Sequence, residues 1–338
     1  MRKVKTENAL GLELCHDVTA MRDGFKGAAF KRGHVITEND IPELLRLGKK
    51  HVFIWEAESG EIHEEDAALR LSELLKTDGT HFTGPSEGKI VMTADINGLF
   101  LVDTELLRRV NSIEDITIST LPNHYPVKKD SRLASMRIVP LTTKETNIIE
   151  AERLCNGRKM IDLLPYKEMK AGIIITGSEI YHGLIQDKFE AVARRKLSDY
   201  PCEILGITIC DDDSEMLDGA IKSYLSRGAD IIILSGGMSV DPDDITPSAI
   251  TRTGAEIISH GVPSQPGNMT MLAYLNDTAL IGVPGAAVIM PTTVFDVLLP
   301  QIFTGLKFTH DDLIRLGDGG LCQLCNECRF PNCTFGRY

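Results

Sequence analysis

Three aspartates fall within four positions, Asp241, Asp243 and Asp244, directly after the apolar run ADIIIL and the pair Gly236–Gly237. Carboxylates this close repel one another unless a cation or water lies among them. Beside a phosphate, paired aspartates are the usual way to hold Mg²⁺, whose hard charge selects carboxylate, phosphate and water oxygens; the alternative is a solvated acidic turn. Gly236 and Gly237 remove side chains where backbone N–H groups could meet an anion, or simply permit a tight turn. Ser239 offers its hydroxyl to an anion or to the turn itself. A second loop sets Thr176, Gly177, Ser178 and Glu179 immediately after the apolar run GIIIT. The first three bring hydroxyls and amides to an anion, and Glu179 suits a metal or a loop cap. Asp187 opens the next helical pattern, where exposed N–H groups favour a negative charge; an N-cap and a catalytic carboxylate are both open readings. The run Asp211–Asp213 follows another strand and reads equally as a solvated turn. Pro284 and Gly285 lie in a Pro-Gly turn that could shape a pocket for a flat ring.

The last 17 residues carry a different chemistry: Cys322, Cys325, Cys328 and Cys333, spaced C-x2-C-x2-C-x4-C. The bacterial iron–sulfur run is one residue shorter at the last gap and ends in proline. Four soft thiolates so close together select Zn²⁺ or an Fe–S cluster, and zinc sites usually pair CxxC knuckles across a longer loop. The expectation is a metal-binding tail, with the compact run favouring iron–sulfur over zinc; four free thiols are the alternative.

The elements that must position these groups change character along the chain. GHVITENDIPELLRLG (33–48) predicts a helix capped at Thr37, HVFIW (51–55) a strand, and EIHEEDAALRLSELLK (61–76) a helix burying Ala67, Leu71, Leu74 and Leu75. Residues 81–166 read as irregular strands. After Tyr166 the pattern becomes an alternation of continuous apolar strands (172–176, 202–210, 230–234, 279–283) with amphipathic helices at 187–200 and 214–228, the second capped at Ser214. Thr246 and Pro247 predict the cap and first residue of a further short helix. Strands buried on both faces mean an α/β fold with a parallel sheet covered by helices on both sides. Ligands on such sheets bind beyond the strands' C-terminal ends, where all three loops fall. The expected organisation is a mixed α+β, partly β-rich accessory region over 1–166, the α/β domain over 167–309 and the Cys-rich tail over 310–338.

The chain has 338 residues, 43% hydrophobic, with 48 acidic against 36 basic residues and a formal charge of -12. It is long enough for two cores. The acidic balance and the absence of a basic tract exclude a nucleic-acid partner. No apolar run approaches a membrane span or a signal peptide, so the expected location is cytoplasmic. There is no G-x-G-x-x-G after a first strand, no GxxxxGK[ST] and no GxSxG, which weighs against dinucleotide dehydrogenases, P-loop nucleotidases and α/β-hydrolases.

IIITGSEI, ADIIILSGGMSVDPDD, QPGN and GVPGAA together resemble the molybdopterin-binding domain of molybdenum cofactor biosynthesis. The molybdopterin molybdenumtransferases, to which gephyrin's C-terminal part belongs, carry TGDEL, GGxSxGxxD and GLPGNP at these places. Thr176, Gly177 and Glu179 match the first, Gly236, Gly237, Ser239 and Asp244 the second, and Gly282, Pro284 and Gly285 the third. Asp187 resembles that family's aspartate at the next helix start, and VKTENALGLELCHDVT resembles its opening. Ser178 stands where the family has aspartate, Asp241-Pro242 alters the second loop, GVPGAA lacks the asparagine and proline, and the family's DGYA segment is missing.

The resemblance implies Thr176, Gly177, Ser178, Glu179, Gly236, Gly237, Ser239, Pro284 and Gly285 as pterin-binding residues. It implies Asp187, Asp243 and Asp244 as catalytic carboxylates and Asp241 and Asp244 as metal ligands. The implied reaction is Mg²⁺-dependent insertion of molybdenum, from molybdate, into adenylylated molybdopterin with release of AMP, in a homodimer. A molybdoenzyme or another cofactor-synthesis protein would be the partner. A non-enzymatic molybdopterin carrier or sensor, and a nucleotide pyrophosphatase on the same fold, are the alternatives.

Overall fold

The computed structural model describes residues 1–22, 25–54, 60–239 and 244–337, with no side-chain description at 21, 22, 25 and 26. The chain forms two compact units, one of residues 1–95, 102–121 and 130–162, the other of residues 96–101, 122–129 and 163–338.

The first unit joins a four-stranded antiparallel sheet, in the order Thr80–Ser86, Lys89–Ala94, Arg132–Ile138, Ile116–Thr120, to the helix Glu64–Leu75. That helix buries Ala67, Leu71 and Leu75, as its apolar spacing predicts, and Ala68 besides, while Leu74 is only half-buried. The helix expected near residue 40 runs Asp40–Arg46. Its start is fixed in reverse: Thr37 donates from both its amide and its hydroxyl to the Asp40 carboxylate, at 2.8 and 2.7 Å. The strand at 51 is His51–Ile54, and Trp55 lies outside the described residues.

The second unit is built on a six-stranded sheet. Its elements are β1 (Met169–Thr176), α1 (Ser178–Tyr181), α2 (Phe189–Leu197), β2 (Cys202–Cys210), α3 (Ser214–Ser226), β3 (Ile231–Ser235), α4 (Thr246–Arg252), β4 (Glu256–His260), β5 (Met271–Leu275), β6 (Thr278–Val283), α5 (Ala286–Ile289), α6 (Val294–Ile302) and α7 (His310–Arg315). The sheet order is β2-β1-β3-β6-β5-β4. The first four strands are parallel; β5 and β4 add antiparallel at the β6 edge.

Alternation sorts the central strands onto two cores. Ile173, Ile175, Ile231, Ile233 and Ile281 face α2 and α6, where Phe189, Ala193, Leu197, Phe295 and Leu298 are buried. Ile174, Ile232, Leu234 and Leu280 face α3 and α4 through Leu217, Ile221, Tyr224 and Ile250. Each such buried aliphatic side chain contributes about 1.5–3 kcal/mol of burial free energy. The parallel α/β core covered by helices on both faces is therefore the fold expected. Two local differences appear. The cap of α3 is Asp213, which accepts from Met216 N at 2.8 Å, rather than Ser214. Thr246 does not cap α4: its hydroxyl donates to Gly236 O at 2.8 Å. Among the described residues no helix is long and apolar enough to cross a membrane.

Candidate functional site

Strand register fixes which loops are neighbours. In the parallel pairings Thr176 stands opposite Cys210, Ile175 opposite Ser235, and Ser235 opposite Val283. The loops that begin at Gly177, Asp211, Gly236 and Pro284 therefore leave one sheet edge side by side, as the C-terminal ends of parallel strands must.

At the centre Thr176 is 2% exposed, and its hydroxyl has no hydrogen-bond partner among the described residues. A buried hydroxyl left unpaired costs about 1–3 kcal/mol, so this one is a feature to be explained. Above it run Gly236 and Gly237, with φ of 96° and 56°. A Cβ on Gly236 would lie 2.1 Å from Thr176 O and 2.7 Å from Thr176 Oγ1; one on Gly237 would lie 3.1 Å from Thr246 Oγ1. Only glycine lets the two loops approach this closely. The amides of Gly236, Gly237 and Met238 have no hydrogen-bond partner among the described residues. Successive amides in such a turn form the concave donor set that suits an anionic oxygen. Thr246 holds the loop from the other side, with its hydroxyl on Gly236 O at 2.8 Å and its amide on Gly237 O at 3.3 Å.

The first loop is tied to the acidic run after β2. Ser178 donates from its amide to Asp212 Oδ2 at 2.9 Å and from its hydroxyl to Asp211 Oδ1. His182 Nε2 stands 3.3 Å from Asp211 Oδ2. The Ser178 hydroxyl, foremost, holds the Asp211 carboxyl below the usual carboxylate range. Asp211, Asp212 and His182 thus join the site, which their residue types alone did not indicate. The available signal was register: once Thr176 pairs with Cys210, the next residues of both loops must adjoin.

The other expected residues divide. Gly177 ends the strand with φ of 142° and Glu179 is exposed. Asp187 turns both oxygens to the start of α2, accepting from Phe189 N at 2.9 Å and Glu190 N at 2.8 Å. Ser239 is exposed and Asp244 half-buried. Asp241 and Asp243 lie outside the described residues. Pro284 and Gly285 follow β6 and start α5, where their carbonyls accept from Ala287 N and Val288 N at 3.0 Å each.

The expected metal chemistry is corrected here. Among the described residues no group of three or more His, Cys, Asp or Glu side chains is placed to hold a metal ion. The four tail cysteines are free thiols, Cys322 and Cys333 half-buried and Cys325 and Cys328 exposed. The physical reason is how the tail is pinned. Cys322 N donates to Gln265 O at 2.9 Å, and the Cys328 thiol pairs with Thr292 Oγ1 at 3.1 Å. Arg337 is clamped over the Tyr125 ring, 4.3 Å from its centroid, and donates to Pro331 O at 2.8 Å. Held in this way, the thiols line the wall of a cavity of about 370 Å³ and form no such group among the described residues. A tail Fe–S cluster or zinc is thereby excluded from the reading.

Residues 172–304 match the model of a family described as a "Probable molybdopterin binding domain". Residues 3–56 match a second family, described as a domain of unknown function. A CinA-like protein of Mycobacterium sp. (strain JLS) is 33% identical over 90 residues, 26% of this chain and 21% of that one. The chain thus spans about a fifth of the length of the curated relatives it matches. Among solved structures, the tungsten cofactor synthesizing protein MoaB from Pyrococcus furiosus is 21% identical, covering 39% of this chain and 96% of its own, with a TM-score of 0.33. The molybdopterin biosynthesis moea protein from Pyrococcus horikosii is 13% identical, covering 90% of this chain and 74% of its own, with a TM-score of 0.35. The segment 172–304 is thus similar to the domain described as probable molybdopterin binding, and about a quarter of the chain is similar to CinA-like proteins.

Proposed function

We propose that this chain binds molybdopterin at the C-terminal edge of its parallel sheet and acts in molybdenum cofactor biosynthesis. The observation that carries the reading is the buried Thr176 hydroxyl, unpaired among the described residues, beneath the Gly236–Gly237 turn. A hydroxyl donor and free amides at one point suit a phosphate oxygen, the anionic end of the pterin. In this reading Thr176, Gly177, Gly236, Gly237 and Ser239 hold the phosphate, and Glu179, Pro284 and Gly285 border the ring. Asp244 stands at the edge of the phosphate site.

The finer reading is molybdenum insertion into adenylylated molybdopterin with release of AMP, by a homodimeric relative of the gephyrin-type transferases. The carrier alternative gains weight from Ser178: its hydroxyl is committed to Asp211, and no free carboxylate stands at that position. One experiment separates them. Anaerobically prepared protein is titrated with molybdopterin, then given adenylylated molybdopterin and magnesium, with and without molybdate, while AMP is followed. Molybdate-stimulated AMP release establishes the transferase reading, and tight binding without AMP establishes a carrier that hands cofactor to a molybdoenzyme. Turnover of simple dinucleotides without preference for the pterin establishes a pyrophosphatase, and absence of pterin binding sinks the proposal.

A further inference from the structure

A second cavity in the same unit, of about 380 Å³, is walled by Tyr166, Tyr200, Arg195, Lys128, Cys328 and Phe330 among others. Its volume is within the range of small-molecule sites. Tyr166 precedes β1 and Tyr200 precedes β2, so both stand at strand ends opposite to those that carry Thr176 and Asp211. The eight residues of β1 put roughly 25 Å between the two ends. The cavity is a separate place on the molecule.

Its wall has a definite chemistry. The Tyr166 and Tyr200 rings meet edge to face at 4.9 Å, and Tyr200 stacks on Phe303 at 4.4 Å with 9° between planes. This packing fixes the aromatic surface in place. Neither phenol hydroxyl has a hydrogen-bond partner among the described residues. Burial raises the pKa of both phenols, so both remain O–H donors at neutral pH. The charges do not cancel. Lys196 is used up internally, on Asp296 and on Pro291 O at 3.1 Å. Lys128 stands 3.7 Å from Asp199, both exposed. Arg195 has no carboxylate partner among the described residues. One guanidinium is thus left over at this wall, in a chain whose formal charge is -12.

We propose that this cavity is a second binding site, for a planar aromatic carboxylate. The ring of the ligand lies against Tyr166, Tyr200 and Phe330, and its carboxylate is taken by Arg195 and the phenol hydroxyls. A guanidinium presents a fork of donors that matches a carboxylate, and the Tyr166, Tyr200 and Phe330 rings, beside Val127 and Leu299, offer apolar faces to a flat ring. Because Cys328 and Phe330 belong to the tail, the occupant also covers the Cys328 thiol. The inference is independent of the pterin reading, since no residue is shared.

The test is calorimetric titration of the full chain with naphthalene-2-carboxylate and with its neutral amide. The expected result is saturable, submillimolar binding of the carboxylate, with the amide at least about tenfold weaker. Arg195→Ala, an exposed change to a good helix former, weakens the carboxylate by about tenfold and leaves the amide unchanged. Tyr200→Phe keeps the ring and weakens the carboxylate severalfold. Bound carboxylate also slows alkylation of Cys328 by iodoacetamide, read by peptide mass spectrometry. No saturable binding, equal affinity for acid and amide, or indifference to Arg195→Ala would each overturn the proposal.

Discussion

The hydroxyl of Ser178 donates to the carboxylate of Asp211, a residue 33 positions further along the chain. That single bond ties the loop after β1 to the loop after β2, and it is the first cause of the lowered Asp211 pKa. A depressed carboxyl contributes stability that is present above the ordinary carboxylate pKa, about 3.9, and is lost as pH falls through the lowered value. Ser178→Ala should therefore move the Asp211 carboxyl back up in an NMR titration. The variant should be less stable than the parent at neutral pH, with the gap closing as acid protonates Asp211. An unmoved titration would show that the hydroxyl does not hold the carboxylate in solution.

Gly236 and Gly285 should answer substitution oppositely. At Gly236 a Cβ meets Thr176 O at 2.1 Å, on backbone with φ of 96°. Gly236→Ala should cost about 1–3 kcal/mol and abolish pterin binding. Gly285 has φ of -55° and nothing within 4 Å of an added Cβ. Gly285→Ala should be neutral or gain up to about 1 kcal/mol by restricting the unfolded chain. Urea denaturation of both variants checks the pair.

The Lys196–Asp296 pair joins α2 to the start of α6, with side chains only 5% and 14% exposed. Lys196→Met removes one partner and leaves a carboxylate in a dry place, which costs about 3–5 kcal/mol. A loss below about 1 kcal/mol in thermal or urea unfolding would mean that the pair is solvated like a surface bridge.

Thiol reactivity should sort by burial. Cys202 is pushed up to about 11 by desolvation, and Cys15, Cys155 and Cys210 are raised by the same cause. Cys325 and Cys328 are exposed. At pH 8, iodoacetamide should label these two first and leave the four buried or half-buried thiols outside the tail intact, because the thiolate is the reacting form. A chelator should leave the rates unchanged, as expected of thiols that hold no metal. Rapid labelling of Cys202 would contradict the packing of β2.

Periodicity and composition carried much of the fold. The runs GIII, IIIL and ALIGV are apolar at every position, and only a strand buried on both faces needs that. The helices between them follow from spacings of three and four, and the site's edge follows from loops that succeed parallel strands. Local sequence did not reveal β4 and β5, whose antiparallel pairing depends on long-range register. Nor could it decide where a short polar side chain spends its hydrogen bonds. Thr246 reads as a cap but donates to Gly236 O, and Asp187 places both oxygens on α2 amides. Cysteine spacing limits how near four thiols can come, while the anchors at Gln265, Thr292 and Tyr125 decide where they stand. Strand type, helix faces and the chemistry available at each loop were determined by the sequence itself, because they depend on neighbours a few residues away. The meeting of Ser178 with Asp211, the unpaired Thr176 hydroxyl and the dispersal of the tail thiols were decided by tertiary structure, because each depends on groups distant in the chain competing for one donor, acceptor or packing site.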